Sequence, residues 1–94
     1  MKFQEASEKF EDEFLKFKSV VNPRHPRPDI CAFPMLHDLV PKTWDMIAGA
    51  DHDVIYLDVT LDELDAVATE EQTVDLIRCG VRYSSDTDGL EMFV

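Results

Sequence analysis

The sequence predicts an α+β fold: an N-terminal amphipathic helix, then a helix, a strand, two short helices and a β-hairpin. Three observations carry that expectation. Phe3, Ala6, Phe10, Phe14, Phe17 and Val21 recur at steps of three and four, which is the period of one helix face. The run Asp53 to Val59, DVIYLDV, is rich in β-branched and aromatic residues, the composition of a strand. Two capping boxes, TLDE from Thr60 and TEEQ from Thr69, announce two short helices in tandem.

The first helix is expected over about residues 3–20. Glu5 with Lys9 and Asp12 with Lys16 are acid-before-base pairs at i,i+4, each worth about 0.2–0.5 kcal/mol on an exposed face. The Phe stripe reads first as core. Its alternative is a homodimer face, because Phe3, Phe10 and Phe17 are seven apart and would form a seam against a second copy.

Asn22 to Asp29, NPRHPRPD, holds three prolines. Proline fixes φ and removes an amide donor, so residues 22–33 are expected to be an extended connector. Arg24 and Arg27 make it a basic island. The body is then residues 34–94, and the whole chain of 94 residues is one domain. In FPMLHDLVPKTWDMIAG, the positions Leu36, Leu39, Val40, Thr43, Trp44 and Ile47 have helical spacing. Pro41 predicts a kink or two pieces, Gly49 a stop, and Trp44 a substantially buried ring. Ile55, Leu57 and Val59 share one face of the strand that follows.

Leu61, Leu64 and Val67 form the apolar face of the first capped helix. Val74, Ile77 and Leu76 serve the second, and Gly80 suits its left-handed end. In the tail, setting Ser84 opposite Gly89 places Arg82 opposite Glu91, Tyr83 opposite Leu90 and Val81 opposite Met92. One register thus gathers the apolar side chains on one face and an ion pair on the other. Residues 85–88 supply turn formers.

From residue 34 onward this order resembles a winged helix-turn-helix domain. DVIYLDV is similar to its first strand, TLDELDAVA and TEEQTVDLIRCG to its helix pair, and VRYSSDTDGLEMFV to its wing. The resemblance implies a groove-facing surface of Glu70, Glu71, Thr73, Asp75 and Arg78, and a wing tip of Ser85, Asp86, Thr87 and Asp88. The charge opposes DNA reading. Twenty acids against nine bases give −11, and residues 50–94 carry nearly all of it. Phosphate binding needs the opposite sign.

Chemistry is sparse. His25, His37, His52, Cys31 and Cys79 lack zinc-ligand spacing. Ser84, Asp86, Asp88 and Gly89 begin like a calcium loop without its twelfth-place acid. With three glycines, there is neither a nucleophile elbow nor a phosphate-cradling loop. The expectation is no enzyme, no cofactor and no metal. Cys31 and Cys79 read as free buried side chains of a cytoplasmic protein, with a bridge between them as the alternative. No apolar run approaches the ~20 residues of a membrane span, and no signal peptide is visible.

The leading expectation is a non-catalytic, acidic protein-binding module. It would use Glu70, Glu71, Asp75, Asp86 and Asp88 against a protein with a basic surface, as an inhibitor or nucleic-acid mimic. Small acidic phage and mobile-element proteins fit this size and charge. One alternative is a dimeric winged-helix DNA-binding regulator using Arg24, Arg27, Arg78 and Arg82. Another is an assembly subunit associating through the Phe stripe.

Overall fold

The computed structural model describes residues 2–20, 27–45, 47–85 and 89–93. Its elements are α1 (Phe3–Lys9), two 3-10 turns (Glu11–Glu13 and Phe17–Ser19), α2 (Pro28–Leu39), β1 (Ile47–Asp51), β2 (Val54–Leu57), α3 (Leu61–Asp65), α4 (Glu70–Arg78), β3 (Val81–Ser84) and β4 (Gly89–Phe93). The fold is α+β. The four strands form one antiparallel sheet in the order β1-β2-β4-β3.

The hairpin has the expected register: Val81 pairs with Met92, Arg82 with Glu91, Tyr83 with Leu90 and Ser84 with Gly89. On the β2 side, Ile55 pairs with Met92 and Leu57 with Leu90. Because side chains alternate along strands, this places Ile55, Leu57, Val81, Tyr83, Leu90 and Met92 on one face. That face meets the core, where Phe3, Leu36, Val59, Leu64, Leu76 and Ile77 are also buried. Fully burying a side chain of this size contributes about 1.5–3 kcal/mol.

The first helix differs from expectation. It stops at Lys9 instead of running to residue 20. The chain turns back in two 3-10 turns separated by Leu15, whose φ is 65°. A helix over residues 3–20 would be about 27 Å long, as long as the whole molecule, whose extents are 28 × 27 × 26 Å. It would carry Phe17 and Val20 off the core. Folding back buries Val20 and packs Phe10, Phe14 and Phe17 against the core. The Leu15 amide donates to the Ile77 carbonyl at 3.2 Å, satisfying an end of α4. Gly80 makes room for this. Its φ is +103°, and a Cβ there would lie 2.9 Å from Leu15 Cδ2 and 3.2 Å from the Phe93 carbonyl oxygen.

The homodimer seam is corrected by the same bend. Phe3 is fully buried and Phe10 and Phe17 lie on other segments, so the three rings do not form one helical stripe.

The connector is corrected in its second half. Residues 28–33 belong to α2, with Pro28 in its first turn, where a missing amide is harmless. Pro34 sits inside α2, so the Ile30 carbonyl loses its helical donor. The part of the connector at residues 22–26 lies outside the described residues. α2 ends at Leu39, ahead of Pro41, rather than continuing toward Gly49. The register that would have aligned Trp44 with Leu36 therefore does not exist, and Trp44 is 58% exposed. Ile47 to Asp51 form a strand instead, the edge partner of β2.

Candidate protein-binding surface

α4 is built from its cap. The Thr69 hydroxyl accepts from the Gln72 amide at 3.1 Å, and Gln72 Oε1 accepts from the Thr69 amide at 2.9 Å. α3 begins with the same reciprocal pair, Thr60 with Glu63. Each box satisfies two amides that a helix start leaves without partners. Glu70 and Glu71 occupy the first turn of α4, where the helix dipole favours negative charge. Both are exposed. They rim a shallow depression of about 460 Å³ with Phe10, Val74 and Arg78.

The rest of α4 turns inward. Thr73, Val74, Asp75, Leu76 and Ile77 are all buried. The Thr73 hydroxyl donates to the Thr69 carbonyl at 2.8 Å. α1 and the two 3-10 turns pack on this helix. The surface expected from Glu70, Glu71, Thr73, Asp75 and Arg78 is thus open only at its first turn. Asp75 is corrected as a contact residue. Its carboxylate accepts from Arg78 Nη1 at 3.1 Å, and burial raises its pKa against the lowering effect of Arg78. Sequence reasoning missed this; the signal it had was spacing, since Arg78 lies three residues after Asp75 on the same helix, whereas the burial of Thr73 to Ile77 comes from the tertiary packing. Asp86 and Asp88 lie outside the described residues.

The cations near this surface are engaged. Arg78 Nε donates to Glu13 Oε2 at 3.0 Å, and these two contacts raise the Arg78 pKa, Glu13 first. Arg82 Nε donates to Glu91 Oε1 at 3.2 Å, and its guanidinium lies 5.4 Å from the Phe14 ring centroid. Lys42 Nζ is 2.7 Å from Glu63 Oε2 and 4.8 Å from the Trp44 ring centroid. The Trp44 indole donates to Asp58 Oδ2 at 2.6 Å, which explains how an exposed ring holds one place. Lys42, followed by the Thr60 bonds, lowers the Glu63 pKa. Glu70 and Glu71 have no such partner among the described residues.

A second cleft, about 320 Å³, lies between α1 and β3, with Ser7, Glu8, Glu11, Phe14, Arg82 and Tyr83 among its walls. Among the described residues, no three His, Cys, Asp or Glu side chains gather as metal ligands do. None of the described helices is long and apolar enough to cross a membrane. Comparison with protein-family models, curated proteins and solved structures finds no match for this chain.

Proposed function

We propose that the protein is a non-catalytic acidic binding module that docks on a basic face of a partner protein, with Glu70 and Glu71 at the centre of the contact. The observation that carries this reading is an imbalance of partners. Residues 50–94 hold twelve acids and two bases, and both bases, Arg78 and Arg82, are spent on Glu13, Asp75 and Glu91. The exposed first turn of α4 keeps its charge toward solvent. Such a field speeds encounter with cationic surfaces and disfavours polyanions.

The order of α2, the β1–β2 pair, α3, α4 and the β3–β4 hairpin is compatible with a degenerate winged-helix-like body carrying one more strand than expected, with the charge of its usual ligand in place of the charge that binds it. In its strongest form the module competes with nucleic acid for a cytoplasmic partner, as an inhibitor from a phage or mobile element would.

The test is capture from a lysate with wild type and with Glu70→Lys/Glu71→Lys, at low salt and then rising salt. The expected result is a bound partner that elutes with salt and is lost in the double variant. Equal capture by both proteins overturns the reading. A gel shift with mixed duplexes at low salt should show no complex.

A further inference from the structure

The cleft between α1 and β3 shares no lining residue with the depression at Glu70 and Glu71. The bend after α1 helps to make it. The chain turns at Leu15 and leaves the Phe14 ring centroid 5.4 Å from the Arg82 guanidinium. The space enclosed is about 320 Å³, with the buried Ile77 among its walls. Sites for small molecules begin at about 300 Å³.

Two features define what the cleft can hold. The first is a hydroxyl. Ser7 lines the cleft from α1, and its Oγ is buried without a hydrogen-bond partner. Buried polar atoms nearly always have one, and a donor seated in the cleft would supply it. The second is the charge of the walls. Glu8 and Glu11 also line the cleft. Both are exposed, and neither makes an ion pair among the described residues. Arg82, the one cation among the described lining residues, is held by Glu91 at 3.2 Å. An anion would meet two carboxylates and a guanidinium already neutralised. A protonated amine would meet the carboxylates, a hydroxyl acceptor and aromatic rings, all of which favour it.

We propose that this cleft is a binding site for a small organic cation, a protonated amine on an apolar body. The ammonium donates to the Ser7 hydroxyl beside Glu8 and Glu11. The body lies against Phe14, Ile77 and Tyr83. Exposed carboxylates alone hold a cation weakly, so the hydroxyl and the apolar walls supply the selectivity. This inference is independent of the docking surface on α4.

The probe is phenethylamine, titrated near neutral pH in about 0.15 M salt, where the long-range field of the chain is screened. Amide chemical shifts follow the binding. The expected result is saturable shifts centred on Ser7, Glu8, Glu11, Phe14 and Arg82. Phenethyl alcohol has the same body without the charge, and phenylacetate has the opposite charge. Both should bind at least about tenfold more weakly, the cost of a lost charge-assisted hydrogen bond. Ser7→Ala should weaken the amine by a similar factor yet melt no lower than wild type, because it removes an unsatisfied group. Glu8→Gln/Glu11→Gln, at exposed positions, should weaken the amine and leave phenethyl alcohol unchanged. If a variant does not fold, the selectivity of wild type among the three probes decides alone. Shifts that never saturate or spread over the whole acidic surface would overturn the proposal. So would phenylacetate bound as tightly as the amine, or a Ser7→Ala protein that binds the amine normally or melts lower.

Discussion

At the scale of single residues, Asp75 shows how composition misleads. In the sequence it is one of twenty acids; in the fold it is a buried carboxylate on Arg78. Its raised folded pKa means that the folded state holds the proton more tightly than the unfolded chain. Stability contributed by protonation is present at low pH and lost as pH rises from the ordinary value near 3.8 through the folded value. Asp75→Asn removes that loss while keeping an oxygen for Arg78. The variant should be more stable than wild type at pH 7, and its advantage should shrink as pH falls below the ordinary value. Urea unfolding at several pH values measures this; an advantage that grows toward low pH would contradict it. Glu63 acts in the other direction. Its pKa is lowered by Lys42 and Thr60, so its contribution fades as pH falls.

At the scale of elements, legibility followed the range of the interactions. The two capping boxes and the β3–β4 register were readable because a few neighbouring residues decide them. β1 was not. Ala48, Gly49 and Ala50 have little strand character, and Gly49 read as a helix stop, yet β1 pairs with β2 through a turn with His52 at φ 43°. The end of α1 was also hidden. Residues 10–20 contain neither Gly nor Pro, and the bend is imposed by Ile77, Arg78 and Gly80 far along the chain. Of the candidate surface, the exposed acids of the first turn of α4 were legible; the inward rotation of the rest was not. If Arg78 helps hold the bend, Glu13→Gln should destabilise the protein, by about 0.5 kcal/mol for a partly exposed pair. Urea unfolding checks it, and an unchanged midpoint would assign the bend to Leu15 and the Phe side chains alone.

At the scale of the whole molecule, charge opposes folding. At 0.01 M salt the Debye length is about 30 Å, longer than any molecular extent, the largest being 28 Å. All the acids then repel one another at once. Salt screens this repulsion and also weakens the attraction within the pairs of Arg78 and Arg82. Because acids outnumber bases twenty to nine, repulsion should dominate the balance. The melting temperature should therefore rise between 0.01 and about 0.3 M sodium chloride, where the Debye length is only several ångströms. A falling melting temperature would show that the pairs outweigh the net charge.

The placement of β4 has a consequence for how the protein is made. β4 lies between β2 and β3 although it comes last in the sequence. The N-terminal segment waits as well: the Phe3 amide donates to Asp65 Oδ1 at 2.6 Å, and Glu13 meets Arg78. On the ribosome, at about 5–20 residues per second, the Phe-rich segment emerges several seconds before the helix that covers it. The sheet stays split until residues 89–93 have left the exit tunnel. A nascent chain stalled ahead of β4 would carry uncovered aromatic side chains and open strand edges, a ready client for chaperones.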